Sequence, residues 1–326
     1  MTMKAAIVTE AGPVLRDVPV PQPGATEILV KVRASALNRA DLGMAAGHAH
    51  GAAGGSGSPL GLEWAGEVVE AGPEAGDYRP GDRVMCSGIG GFAEYAVADH
   101  RRCFPVPDGM GWSEAACWPV ALRTMTDAVL INGAMTAGQR VMIMGASSGV
   151  GLLGMQIARA CGASQVIGTS TTAARRDRLS EFGADVAVDP SAPGWVDAVL
   201  QATDGKGVDL VVDMLSGPYV NDLLRATALG GRIVNVGRLA GQRAEFDFDL
   251  HALRRITYVG VTFRTRTVED VAAINERVMA DVWPRFETGA FTMPIDRTMP
   301  LMQIADALDE MKRNTHFGKI TVTPGN

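Results

Sequence analysis

The chain has 326 residues, 47% of them hydrophobic and 20% charged, with a formal net charge of -6 and an isoelectric point near 5.4. That length suffices for two domains with separate cores, while the acidic balance excludes a general affinity for nucleic acid or an anionic membrane, whose phosphates it would repel. The N-terminus, MTMKAAIVTEAGP, has a single lysine and no long apolar core, so neither a signal peptide nor a membrane span is expected and the cytoplasm is the expected compartment.

From residue 1 to about 120, short β-type runs separated by Gly/Pro turns (KAAIVTE, EILVKVRASAL, AGEVVEAG, DRVMCSG, FAEYAVA) predict a compact, mainly antiparallel β-unit. Within it, Gly47 to Ser58 (GHAHGAAGGSGS) is too rich in small residues to fix itself by burial and reads as a mobile loop. The texture changes at about residue 125. Apolar β-branched strands now alternate with helical segments: RVMIMGA and a helix over 150 to 161, QVIGTS and a helix over 173 to 182, then DVAVD, VDLVVDML, RIVNVG and ITYVGVTF. Strands buried on both faces and joined by helices imply a doubly wound parallel sheet of the α/β class. The tail reads as helices near 268 to 287 and 301 to 313 and a last strand, KITVT. Cys86, Cys103, Cys117 and Cys161 form no CxxC pair and read as reduced thiols rather than disulfides or zinc ligands.

The stretch from Met142 to Leu152, MIMGASSGVGL, ends the first strand of the alternating series and opens a helix. In that setting backbone N–H groups and the helix N-terminus face a dinucleotide pyrophosphate, although glycines there can also serve only to reverse the chain. The next strand ends GTSTTAARRDR, Gly168 to Arg178, with no acid before Asp177 to take a ribose 2′-hydroxyl. Hydroxyls at Thr169, Ser170 and Thr171, followed by Arg175 and Arg176, suit a 2′-phosphate, so NADPH is the expected cofactor.

Segments along the whole chain carry a family resemblance: MKAAIV, ASALNRADL, LGLEWAGEVVEAG, PGDRVM, GGFAEYAV, GASSGVG, GADVAVD, GGRIVNVG and GKITV. The chain resembles the zinc-independent quinone oxidoreductases of the medium-chain dehydrogenase/reductase superfamily. The resemblance implies a GroES-like β-rich catalytic domain over 1–123 and 267–326, a Rossmann cofactor domain over 124–266, and a homodimer paired through the edge strand at 256 to 263. Zinc alcohol dehydrogenases of that superfamily carry Cys where this chain has Asn38 and His where it has Leu62, so a metal-free enzyme without zinc is expected. Glu63 alone cannot hold the ion.

Without a Lewis acid, the negative charge that develops on a hydride acceptor must be stabilised by hydrogen-bond donors or by the acceptor itself. Quinones and conjugated carbonyls delocalise it themselves, so a small electrophile of one of these kinds is the expected partner. The resemblance places Asn38 as the catalytic residue. It assigns Thr124, Ser147, Ser148, Gly149, Val150, Gly151, Ser170, Arg175, Val236, Gly237, Phe263 and Lys319 to the cofactor, and Asn38, Leu62, Trp64, Thr124 and Phe263 to the substrate pocket. Three functions fit this reading: quinone reduction, reduction of the double bond of an enone, alkenal or enoyl thioester, and non-catalytic NADPH binding.

Overall fold

The structure, a computed structural model, describes residues 1–51 and 54–325. Its strands are β1 (Thr2–Thr9), β2 (Gly12–Pro19), β3 (Glu27–Ala36), β4 (Glu63–Ala71), β5 (Arg83–Ser87), β6 (Tyr95–Asp99), β7 (Cys103–Pro105), β8 (Arg140–Met144), β9 (Gln165–Thr169), β10 (Val186–Val188), β11 (Val208–Asp213), β12 (Thr227–Asn235), β13 (Thr257–Gly260), β14 (Ile295–Pro300) and β15 (Lys319–Thr323). The chain divides into two compact units: Met1–Val120 with Phe263–Met279 and Met293–Asn326, and Ala121–Thr262 with Ala280–Thr292. The last of these segments departs from the expected boundaries, which gave all of 267–326 to the β-rich domain. The physical reason is a clasp. On the helix Gly149–Ala160, the Gln156 amide donates to the Thr292 carbonyl and accepts its N–H, both at 2.9 Å, so the backbone there is held by the second unit.

The first unit is built on a seven-stranded sheet in the order β14-β15-β3-β4-β5-β7, with β6 also paired to β3, and on a β1–β2 hairpin. The strands alternate as the sequence implies. Ile28, Val30 and Val32 face one cluster with Trp64, Val68, Val84 and Cys86. A second cluster joins Leu37, Leu60, Leu62 and Phe92 to Ile304, Ala307, Leu308 and Met311, whose i, i+3, i+4, i+7 spacing makes one face of the helix Ile304–Arg313. Strand β14 was absent from the sequence reading, because IDRTMP lies at the sheet edge with exposed polar residues and a terminal proline. The glycine-rich loop is less free than expected at its far end: Gly57 N–H donates to Val8 O, and Val8 N–H to Ser58 O, both at 2.9 Å. Ala52 and Ala53, at the centre of that expectation, lie outside the described residues.

The second unit is a six-stranded parallel sheet in the order β10-β9-β8-β11-β12-β13. Numbered within the unit this is 3-2-1-4-5-6, the doubly wound order that leaves a crevice at the carboxyl ends of the strands on either side of β8. Val141, Met142, Ile143 and Met144 are all fully buried, as a strand covered on both faces requires. The helices Trp195–Ala202, Val220–Ala226 and Phe248–Arg254 were not singled out from the sequence. The helix expected over 173–182 is broken into one turn, Ala173–Arg176, and a 3-10 turn, Leu179–Phe182, ended by Gly183 at φ 94°. The helix expected over 268–287 is also interrupted. Val268–Arg277 widens to a π-turn over Val278–Val282 before Trp283–Phe286, which carries Pro284 in its first turn, where a missing N–H costs no helical bond.

Among the described residues, no helix is long and apolar enough to cross a membrane. Strand β13 ends the parallel sheet, and Thr257, Tyr258 and Gly260 on it are exposed. Beside it, Phe248 is 76% and Leu253 66% exposed, and the Phe246 ring stands edge-on to Tyr258 at 6.1 Å. A strand edge rotated about a twofold axis pairs with itself, so we propose that a second copy covers this edge. Light scattering at micromolar concentration should give a dimer that Tyr258→Lys shifts towards monomer; a monomeric unmodified chain would contradict the pairing.

Candidate active site

In the first unit, three strand ends bring a buried polar cluster together. Thr321 on β15 pairs with Ala36 on β3, and Trp64 on β4 with Ser35, so the first residues of β15 and β4, Lys319 and Glu63, both lie beside the chain leaving β3. That chain turns at Asn38, extended at φ −126° and ψ 153°, into the helix Arg39–Ala45. The cap on this helix is held by the return bond, in which Asp41 Oδ2 accepts the Asn38 backbone N–H at 2.7 Å. The Asn38 side chain is thereby available for other contacts. Its Nδ2 donates to Glu63 Oε1 at 2.9 Å and its Oδ1 accepts from Lys319 Nζ at 3.1 Å.

Lys319 Nζ also donates to the Leu37 carbonyl at 3.2 Å and forms an ion pair with Glu63 Oε1. The remaining Glu63 oxygen accepts the Val120 N–H at 2.9 Å. An ammonium only donates, so Asn38 must turn its carbonyl oxygen to Lys319 and its amide nitrogen to Glu63. Glu63 and Lys319 are buried while Asn38 is half-buried. The second amide hydrogen of Asn38 makes only a long contact, 3.5 Å, to Ala36 O. All three donors of Lys319 are thus engaged inside the unit, by Glu63, Asn38 and Leu37.

Two pocket residues are also corrected. Leu62 packs with Leu60 and Phe92 in the core, and the fully buried Trp64 ring lies against Gly91, where an added Cβ would stand 2.6 Å from it. Phe263 lies in the first unit, half-buried, with the Arg266 guanidinium 5.0 Å over its ring.

In the second unit the structure brings the glycine-rich turn together as a tight cradle. Gly145 leaves β8 at φ 76°. Ser148 caps the twelve-residue helix Gly149–Ala160, its Oγ accepting the Gly151 N–H at 3.2 Å and donating to Gly145 O at 3.0 Å. Gly149 and Val150, at the first helical positions, have no acceptor within the helix for their N–H groups. At Gly151 a Cβ would stand 2.7 Å from the Ala146 backbone, so only glycine lets the helix start this close to the strand. Ser147 Oγ lies 3.2 Å from Ser170 Oγ at the end of β9.

On the other side of β8, the Val236 and Gly237 N–H groups donate to the Asp213 carbonyl at 2.7 and 3.1 Å, and a Cβ on Gly237 would stand 2.5 Å from Met214 O. The Asp213 carboxylate, not anticipated from sequence, accepts the N–H groups of Leu215 and Ser216 at 2.8 and 2.9 Å. Thr124 and Arg175 are half-buried, on Pro119–Met125 and Ala173–Arg176. The turn thus has the donors and the bare backbone that a dinucleotide requires.

A zinc ion does not fit the cluster in the first unit. Leu62 has no ligating atom, the Glu63 and Asn38 oxygens already receive an ammonium, and a dication there would confront Lys319. Among the described residues, no group of three or more His, Cys, Asp or Glu could hold a metal.

Asp41 is fully buried and its Oδ1 finds no hydrogen-bond partner among the described residues. Burial pushes its carboxyl up to about 7, against the Asn38 N–H and Lys319, which favour the ionised form. An unfolded chain releases that proton near pH 4. The stability contributed by this group is therefore complete below about pH 4 and lost as pH rises to about 7, a change of up to about 4 kcal/mol. Denaturant titrations across that interval should show a shallower pH slope for Asp41→Asn than for the unmodified chain; equal slopes would mean that Asp41 is ionised throughout.

Comparison with known proteins agrees with this architecture. Residues 149–278 match the family model described as zinc-binding dehydrogenase, and residues 24–108 that of the alcohol dehydrogenase GroES-like domain. The chain is 30% identical over 302 residues to a mycocerosic acid synthase-like polyketide synthase of Mycobacterium tuberculosis, covering 91% of this chain and 14% of that protein. It is 33% identical over 267 residues to a polyketide synthase of Streptomyces halstedii, covering 81% of this chain and 4% of that one. The chain thus spans a small fraction of the curated relatives it matches.

Among solved structures, an alcohol dehydrogenase superfamily protein from Novosphingobium aromaticivorans superposes with a TM-score of 0.89 at 29% identity, covering 100% of both chains. A mycobacterial protein complexed with NADPH superposes with a TM-score of 0.86 at 25% identity, covering 99% of this chain and 100% of that one. With a GroES-like domain, a dehydrogenase cofactor domain and oxidoreductases among its structural relatives, the chain belongs to the medium-chain dehydrogenase/reductase superfamily of oxidoreductases.

Proposed function

We propose that the chain is a zinc-independent, NADPH-dependent oxidoreductase that transfers hydride to a quinone. The observation that carries the reading is the locked Asn38 amide, held by Lys319 and Glu63 where zinc relatives keep a ligand. The second amide hydrogen of Asn38 donates to the acceptor oxygen. A single neutral donor stabilises an oxyanion less than a metal does, which suits an acceptor that spreads the charge over its own conjugated system. NADPH supplies the hydride when bound.

Ser147, Ser148, Gly149, Val150 and Gly151 would hold the pyrophosphate, and Ser170 and Arg175 the 2′-phosphate. Thr124, Val236, Gly237 and Phe263 would hold the nicotinamide half. Support for the cofactor comes from the absence of an acid at the end of β9 and from the NADPH complex of a structural relative.

A second reading is reduction of the carbon–carbon double bond of an enone, alkenal or enoyl thioester on the same scaffold. The recurrence of polyketide synthases among the relatives favours it. A panel of quinones, enones and an enoyl thioester with NADPH separates the two; no turnover with any of them would leave a non-catalytic NADPH-binding protein.

The cofactor reading has its own check in Arg175→Ala. Loss of a charge-assisted contact to phosphate should weaken NADPH about ten- to a hundredfold and leave NADH nearly unchanged. Equal weakening of both would make Arg175 a structural residue. A preference for NADH in the unmodified enzyme would overturn the 2′-phosphate assignment.

A further inference from the structure

The one-turn helix after β9, Ala173–Arg176, carries two consecutive arginines, and the structure ties the second of them to the end of β9. Arg176 Nη1 donates to the Ser170 carbonyl and to Asp189 Oδ2, both at 2.8 Å. Ser170 in turn donates its N–H to the Val188 carbonyl at 3.1 Å, and Val188 pairs with Thr169, so Asp189 leaves β10 alongside Ser170 leaving β9. Asp189 is itself well anchored. Its Oδ1 accepts the Ser191 N–H at 2.9 Å and the Ser191 hydroxyl at 2.6 Å. These contacts, the Ser191 hydroxyl first and the Arg176 charge among them, hold its carboxyl below the usual range, so it is ionised at neutral pH.

A fixed carboxylate is therefore positioned against a guanidinium within one residue of the serine expected to meet a ribose 2′-substituent. The pair is about four-fifths shielded from water on both sides, so solvent screens it less than an open surface pair. A 2′-phosphate is a dianion near neutral pH and feels both charges, whereas a 2′-hydroxyl feels neither strongly.

We propose that Asp189 is a specificity-determining residue. By drawing Arg176 onto the ends of β9 and β10 and neutralising it there, it limits how strongly this chain discriminates a 2′-phosphorylated dinucleotide from its unphosphorylated counterpart. The inference rests on the reading of the β9 end as the 2′-phosphate site. It assigns the two arginines different roles: Arg176 cross-links the strand ends, while the phosphate is left to Arg175 and the Ser170 hydroxyl.

The test is binding of 2′,5′-ADP and of 5′-AMP to the full chain by calorimetry, without turnover. Asp189→Asn keeps the length and hydrogen-bonding capacity of the side chain and removes its charge. It should tighten 2′,5′-ADP about three- to fivefold, the range expected for a partly exposed charge, and leave 5′-AMP unchanged. Asp189→Ser, which cannot reach Arg176, should shift the affinity ratio in the same direction, and thermal melting of both variants confirms that they are folded. An unchanged ratio in both folded variants overturns the role of Asp189. Failure of the cofactor reading shows separately, as an unmodified chain that binds 5′-AMP at least as tightly as 2′,5′-ADP.

Discussion

The ion pair between Glu63 and Lys319 is the constraint on which the candidate site depends. Removing two charges from water costs several kcal/mol for each ion, and their attraction repays that only when every remaining donor and acceptor is satisfied. Here they are. Glu63 takes Lys319, the Asn38 amide and the Val120 N–H; Lys319 takes Glu63, the Asn38 oxygen and the Leu37 carbonyl. The pair therefore ties the first residue of β4, the first residue of β15, the exit from β3 and the start of the helix at 119 to one point. Its functional consequence is orientation. An asparagine side chain can present oxygen or nitrogen to a substrate at similar cost, and an ammonium on one side with a carboxylate on the other removes that choice.

The second unit reaches a comparable rigidity with backbone rather than charge. Gly151 allows the helix to begin against the Ala146 backbone, Gly237 lets its loop lie flat on Met214, and the Asp213 carbonyl and carboxylate gather four N–H groups at the carboxyl ends of β11 and β12. Apart from the Ser148 hydroxyl on the Gly151 N–H, the first turn of the helix offers backbone N–H groups, which is the property a phosphate needs. Each unit thus holds one fixed feature of its own: an oriented amide in the first and a bare-backbone turn at a helix N-terminus in the second.

Much of this was legible in the sequence where periodicity or backbone geometry leaves a mark. Short β-type runs between Gly/Pro turns marked β3 and β4, the unbroken apolar run marked β8 as doubly covered, and the glycines from 145 to 151 marked the strand–turn–helix. Tertiary pairing left no such mark. Lys319 opens a β-rich run, and nothing in GKITV says that its ammonium is buried against residues more than 250 positions away. Glu63 could be read only as too few ligands for zinc, because its partners come from the ends of other strands.

Leu62 and Trp64, expected in the substrate pocket, are core residues: Leu62 packs in one cluster with Phe92 and the Trp64 ring lies against Gly91. The break after Arg176 was hidden because AARRDRL is a good helical sequence by propensity. It ends early where Arg176 is pulled to the Ser170 carbonyl and Asp189.

The most direct test of a site organised by a buried charge pair is the single-turnover rate of hydride transfer from NADPH to a quinone in Glu63→Gln, with NADPH affinity measured on the same protein. Loss of the carboxylate frees the Asn38 amide to turn and leaves Lys319 without its counter-charge. The expected result is a rate at least about tenfold slower, equivalent to about 1.4 kcal/mol of barrier, with NADPH affinity unchanged. A folded Glu63→Gln protein that transfers hydride at the unmodified rate would contradict the assignment of Asn38 and of the pair that orients it.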